Sequence, residues 1–435
     1  MIYSLLDNDW YKWLMAQVVY FFFPDVRVTY KFINRGGDKF PQGFDSLVWV
    51  ECWKLSNLKL TAQEKEWLLK QKGMYSEFIE WFSKYQFDPN ELTIDLRDGD
   101  LTIEIAGSWL RTIFWEVPLM AIISELYFKN YKLSTNLLMQ TVKAKKESLC
   151  FPFVDFGTRR RLRFDTQEYL VYKLSHTQYF LGTSNPLLAM NYDVPVIGTY
   201  AHEAVMAMER LSVFDRELDI LFCNRVWLEN WRFVYGNNYD IMLTDTITTD
   251  IFIRKVDTIY WKTMSGVRLD SGDPFIIGEK ILAHYNSLGI DTKTKTLVFS
   301  DNLNPEKARK IYEHFKDRCK VIFGIGTNLT NDYGVKPLNM VIKLATVEGQ
   351  GVVKLSDEPG KWTGKFKDIE KAIKIIGGLK MLGQYQSQEK WKWHDHLRFW
   401  WDMNKNEIIL GLFFLAMAFS LIGFGMSIQI MAGGR

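Results

Sequence analysis

From about residue 150 onward one pattern recurs: a short apolar run stops at small or polar residues, and a helical stretch follows. The runs are FPFVDFG, QYFLGTSN, VPVIGT, DIMLTD, GVRLDSGD, TLVFSDN, KVIFGIGTN and NMVIKLA. Short runs that are apolar throughout suit strands buried on both faces, as in parallel sheets with helical crossovers. TRRRLRFDTQEYLVYKL, AHEAVMAMERL, DPFIIGEKILAHYNSLG and NPEKARKIYEHFKD read as the helices between them. The alternation predicts an α/β fold, and about eight strand candidates fit a (β/α) barrel better than an open sheet.

The stretch before residue 150 mixes both periods. DNDWYKWLMAQVVYFFF reads as a helix with Asp7 or Asp9 as N-cap, and TAQEKEWLLKQ and VPLMAIISELYFKNY as further helices. VRVTYKFI alternates like a strand, and LTIDLRDGDLTIEIAG reads as a hairpin turning at Asp-Gly. The chain thus divides into an N-terminal α/β domain over 1–148, a barrel over 149–378 and a tail over 379–435.

The tail has its own character. No charged residue occurs from Ile408 to Gly434, and EKWKWHDHLRFWWDMNK precedes that run with basic residues and tryptophans. Roughly 20 apolar residues suffice to cross a bilayer as a helix. A membrane-spanning helix is therefore expected over about 408–432, with the body on the cytoplasmic side by the positive-inside rule. The N-terminus, MIYSLLDNDW, has acids and no basic region, so it is not read as a signal peptide. A net charge of +3 without a long basic run excludes nucleic acid as the expected partner. The cysteines at 52, 150, 223 and 319 form no CxxC pair, which argues for a reduced chain without a zinc site.

In a barrel of this kind the active site forms where the strands end. The ends here carry Asp155-Phe156-Gly157, Thr183-Ser184-Asn185, Gly198-Thr199, Asp245, Arg268 with Asp270 and Asp273, Ser300-Asp301-Asn302 and Gly324 to Thr327. Gly324, Gly326 and Thr327 could cradle a phosphate with backbone N–H groups, and the triplet Arg159, Arg160 and Arg161 could fork onto an anion. Arg268 and Asp270 share a face if extended, and Asp273 before Pro274 suits an N-cap. His202 is one of only six histidines. With Thr199 capping the next helix it falls in the first turn, where the helix dipole disfavours protonation and a neutral, nucleophilic imidazole results.

LLDNDWYK, WEVPLMAIISE, DFGTRRR, GTSN, GTYAHE, LTDTITTD, GVRLDSGDP, KTLVFSDNL, FGIGTNL, VKPLNMVIKL and KLSDEPGK occur in that order. Over roughly residues 3–377 the chain resembles nicotinate phosphoribosyltransferases, type II phosphoribosyltransferases of NAD salvage. The resemblance implies an N-terminal α/β domain packed on an irregular TIM-like barrel, and a homodimer with shared sites. It implies that nicotinate and phosphoribosyl pyrophosphate give nicotinate mononucleotide and pyrophosphate, with Mg2+. ATP is hydrolysed to ADP and phosphate through a phosphohistidine, which falls on His202. Tyr11, supplied by the partner subunit, and Phe156 would wall the pyridine ring. Arg159 and Arg268 would meet the pyrophosphate and the nicotinate carboxylate. Thr183 and Ser184 would line the substrate site, and Ser184, where a nicotinamide-using family carries aspartate, favours nicotinate. Asp270, Asp245 and Asp301 would hold ribose and Mg2+, the metal through Asp245 or Asp301. Gly324, Gly326 and Thr327 would take the 5′-phosphate. Trp10 and Trp13 depart from the pattern and would reshape the ring pocket, and the tail has no counterpart. A phosphoribosyltransferase for nicotinamide or another pyridine, or a non-catalytic membrane-tethered scaffold, are the other readings.

Overall fold

Strands β1 (Arg27–Asn34), β2 (Leu92–Arg97) and β3 (Asp100–Ser108) form the sheet that the N-terminal alternation predicts. β2 and β3 pair antiparallel and turn through Asp98 and Gly99, both at positive φ, as a type I′ hairpin requires. The surprise lies on the other side of β1. There β10 (Met340–Val347) pairs antiparallel, so the sheet order is β11-β10-β1-β3-β2, with β11 at Gln350–Gly351. NMVIKLA is therefore not a strand of the parallel sheet. Its lysine and threonine alternate with apolar residues, and it completes the N-terminal sheet from the far end of the chain. The boundary at 148/149 consequently does not separate two continuous domains.

This description comes from a computed structural model and covers residues 1–211 and 219–377. Met1–Gly377 form one compact unit. The expected helix over about 408–432 lies outside the described residues, among which no helix is long and apolar enough to cross a membrane.

The second sheet is parallel and six-stranded. β4 (Phe153–Asp155), β5 (Phe180–Thr183), β6 (Ile241–Leu243), β7 (Gly266–Leu269), β8 (Thr296–Phe299) and β9 (Lys320–Ile325) run in the order β5-β4-β9-β8-β7-β6. Every residue of β4 and β8 is buried, as a sheet covered on both faces demands. VPVIGT makes only a single parallel bridge, Val196 to Thr183, in place of a strand. From there the chain reaches β6: the Thr199 hydroxyl donates to Ile241 O at 2.6 Å. Thr199 is thus not the cap of the following helix, His202–Leu211.

The N-terminal segment is pinned to the strand ends by a buried ion cluster. Arg161 forks onto Asp7 at 2.7 and 2.8 Å and also donates to Glu125 at 2.8 Å. Of the arginine triplet, then, Arg161 is structural, and Thr158–Arg160 form a single 3-10 turn before the helix Phe164–Leu174. Asp7 does not cap. Trp10 and Trp13, on the helix Trp10–Phe22, pack against Trp67 and Tyr239 and against Phe82 and Phe114. Both are fully buried, and neither lines the cavity described below.

Candidate active site

The strand ends of the parallel sheet open into a cavity closed from the other side by β10 and the start of the helix Trp10–Phe22. Tyr11, Phe156, Arg159, Ser184, His202, Arg268, Asp270, Gly324, Gly326 and Thr327 line it. Three expected residues do not. Thr183 is buried and donates its hydroxyl to Asp155 at 2.8 Å. Asp245 lies behind His202, fully buried, and Asp301 faces a neighbouring depression with Lys307.

The His202 end is a hydrogen-bonded chain. Nε2 lies 3.1 Å from Asp270 Oδ2 and 3.7 Å from Asp245 Oδ1, while Nδ1 lies 3.0 Å from the Thr246 hydroxyl. Burial, with the nearby Lys354 cation, pushes the His202 imidazole down to about 4, so it is neutral in the physiological range. The sequence reading reached the same protonation state through the helix dipole; here desolvation is the larger cause. Burial alone would raise the Asp270 carboxyl, but Arg268 and the His202 contact hold it well below the usual range. An ionised Asp270 can only accept, so Nε2 carries the proton and Nδ1 accepts the Thr246 hydroxyl. Arg268 reaches Asp270 Oδ2 at 3.4 Å and Ser300 Oγ at 3.2 Å, and Ser300 donates to Asp270 Oδ1 at 2.5 Å. The two-residue spacing of Arg268 and Asp270 does place them on one face, and Asp273 does cap its helix, accepting from Phe275 N and Ile276 N.

Tyr11 lies in the cavity of its own chain, where the resemblance had implied a partner's residue. Its hydroxyl donates to Glu116 at 3.3 Å, and the Arg159 guanidinium sits 5.6 Å from its ring centre. Phe156 faces the cavity over Gly324. A Cβ there would meet the Phe156 ring at 2.3 Å, so the missing side chain makes room for the ring. The Thr327 hydroxyl is buried and has no hydrogen-bond partner among the described residues, next to Gly326.

Several lining groups escaped the strand-end reading. Asp9 occupies the N-cap position without capping; it accepts from Ser184 Oγ at 2.6 Å and lies 3.5 Å from Arg159. Burial pushes its carboxyl up to about 6. Glu116, in WEVPL, lies 3.5 Å from Arg159. Arg160 and Lys343 line the cavity and form no ion pair among the described residues. Burial, then the neighbouring cations Arg159 and Arg35, pushes Arg160 down to about 10. Burial, then Lys354 and other cations, pushes Lys343 down to about 8. A lone lysine in the apolar run MVIKLATV was the available signal for Lys343.

The described residues contain no group of three or more His, Cys, Asp or Glu placed to hold a metal ion. Asp245 accepts from Ser271 at 2.6 Å and lies 3.5 Å from Lys354, and Asp301 pairs with Lys361 at 2.7 Å. Asp245 Oδ1, however, is buried without a hydrogen-bond partner.

Comparison with known proteins agrees in sequence and in shape. The model of the nicotinate phosphoribosyltransferase family matches residues 151–380, and that of its N-terminal domain matches 6–124. A nicotinate phosphoribosyltransferase of Desulforapulum autotrophicum is 40% identical over 391 residues, 86% of this chain and 99% of the relative. That of Escherichia fergusonii is 38% identical over 394 residues, 88% and 97% of the two chains. The crystal structure of the Porphyromonas gingivalis enzyme superposes with a TM-score of 0.82 at 34% identity, covering 87% of this chain and 100% of that one. The Vibrio cholerae structure gives 0.82 at 31%, covering 89% and 97%.

Proposed function

The chain belongs to the nicotinate phosphoribosyltransferase family, and from that we infer how its cavity joins nicotinate to phosphoribosyl pyrophosphate. The observation that carries the reading is a pair of cations that form no ion pair among the described residues, Arg160 and Lys343, in a cavity that also holds two aromatic rings and a buried Thr327 hydroxyl without a partner among those residues. Half-buried cations without a direct ion pair suit a ligand that brings several negative charges. Pyrophosphate is such a group, and the turn at Gly324, Gly326 and Thr327 suits the 5′-phosphate. Tyr11 and Phe156 suit a flat heteroaromatic ring, with Arg159 and Arg268 near its carboxylate and the pyrophosphate. We read the six strands and the Val196 bridge as an irregular, incomplete barrel, and a homodimer with shared sites belongs to the same reading.

Cleaving the bond to pyrophosphate leaves positive charge on the ribose, which Asp270 would offset while the cations hold the leaving group. Mg2+ would arrive with the phosphates and neutralise part of their charge, taking Asp245 Oδ1 or Asp301 among its oxygen ligands. His202 is the acceptor from ATP. As the Asp270 carboxylate turns to the substrate, the imidazole proton moves to Nδ1 and is donated to the Thr246 hydroxyl. The freed Nε2 lone pair attacks the γ-phosphorus, and the bond to the ADP oxygen breaks with its electron pair leaving on ADP. Water later cleaves the N–P bond to give phosphate.

A steady-state assay with ATP, Mg2+ and phosphoribosyl pyrophosphate tests the reading. Nicotinate should be the preferred pyridine; a clear preference for nicotinamide overturns the substrate, and no product from either supports a scaffold. Ser184→Asp should cut the preference for nicotinate about tenfold, by setting a second carboxylate beside Asp9. Gly324→Ala should raise the nicotinate KM about tenfold, since relieving an overpacked contact of this kind costs about 1–3 kcal/mol.

The tail extends the proposal. The uncharged run over 408–434 supports a catalytic body tethered to the cytoplasmic face of a membrane. Carbonate extraction of cell membranes should leave the chain in the pellet, and full release would reject the tether.

A further inference from the structure

Lys12 lies outside the cavity with its side chain fully buried. Its ammonium sits between two carboxylates, 2.6 Å from Glu116 Oε2 and 2.5 Å from Glu203 Oε2. Taking three charges out of water is unfavourable by several kcal/mol per ion before their mutual attraction offsets it, and stability alone would be served as well by apolar packing. The arrangement therefore calls for a use. Both carboxylates line the cavity, from different elements. Glu116 accepts from Tyr11 at 3.3 Å and lies 3.5 Å from Arg159, the ring-binding end. Glu203 follows His202 directly in the first turn of its helix and accepts from Tyr30 at 3.3 Å.

We propose that Lys12 is a positioning residue that couples the charge carried by His202 to the grip of Tyr11 and Arg159 on the pyridine ring. The proposal rests on the phosphohistidine reading above. A phosphoryl group adds about −1.5 to −2 charges at pH 7. Placed on His202 it draws the Lys12 ammonium towards Glu203 and away from Glu116. Glu116 then directs its charge to Arg159 and the Tyr11 hydroxyl, and fixes both. No covalent step passes through Lys12. A close-packed apolar core has no such second arrangement, whereas an ammonium shared between two carboxylates has two.

The test compares the nicotinate KM with and without ATP in the full chain, alongside intact-mass detection of acid-labile phosphate. The wild-type KM should fall about tenfold with ATP. In Lys12→Met/Glu203→Gln, where Glu116 keeps Arg159 as counter-ion, the ratio should shrink to within twofold although the chain still takes up phosphate. Lys12→Arg should restore most of the ratio. If the double variant does not fold by its thermal melt, Glu203→Gln alone should halve the ratio or better. A phosphorylated variant with the wild-type ratio overturns the role of Lys12. A wild-type chain that takes up no phosphate, or an ATP effect that survives His202→Ala, overturns the phosphohistidine reading instead, and the coupling with it.

Discussion

His202→Ala should abolish phosphate uptake from ATP and lower the ATP-supported rate of nicotinate mononucleotide formation about a hundredfold, which corresponds to about 2.7 kcal/mol of barrier. The expectation follows from the environment of the imidazole. Buried and neutral at the start of its helix, it faces the cavity carboxylate Asp270 at 3.1 Å through Nε2. Alanine removes the acceptor and leaves Asp270 with Arg268 and Ser300, so the fold should hold. The pH dependence separates this role from a merely structural one. An ordinary histidine would lose its nucleophilic form as pH falls through about 6.5. Held down to about 4, His202 keeps it, so ATP-dependent phosphate uptake should stay level from pH 8 to about 5. Intact mass after incubation with ATP at several pH values checks both statements. Uptake that halves near pH 6.5, or that persists in the alanine variant, removes His202 from the scheme.

How much of this was legible in the sequence depends on which sheet a residue belongs to. In a parallel sheet the carboxyl ends converge however the helices pack, so reading what each apolar run ends in located His202, Arg268, Asp270 and Phe156 together. The same rule pointed to Asp245, Asp301 and Thr183, which the fold directs behind or beside the cavity. Run ends show which way the backbone leads; the rotamer and the next loop decide where the side chain goes. Lys343 and Glu116 are harder to place for a different reason. β10 looks like any other apolar run, and only its pairing with β1, from the opposite end of the chain, turns Lys343 into the cavity. Thr199 and Asp9 stood where a cap belongs but found stronger partners in Ile241 O and Ser184, which local pattern cannot foresee.

The double substitution Arg160→Met/Lys343→Met should raise the KM for phosphoribosyl pyrophosphate on the order of 10²–10³-fold. Hydrogen bonds to charged groups contribute about 1.5–3 kcal/mol each, and two in one site need not sum. The decisive feature is the sign of a second measurement. Both cations form no ion pair among the described residues, and burial, with the nearby cations Arg159 and Arg35, pushes both pKa values down. Methionine keeps the length of the side chain and removes that penalty. The thermal midpoint should therefore rise or stay level while substrate affinity collapses, the opposite of what a structural ion pair would show. Lys343 adds a pH signature. With its ammonium held down to about 8, the free enzyme loses this charge as pH rises through that value, so the wild-type KM should climb between pH 8 and 9. In Lys343→Met the KM should be high already and level across that interval. A variant that melts lower and binds phosphoribosyl pyrophosphate as the wild type does would mean that these two cations serve the fold, and the pyrophosphate would then have to be held by Arg159 and Arg268 alone.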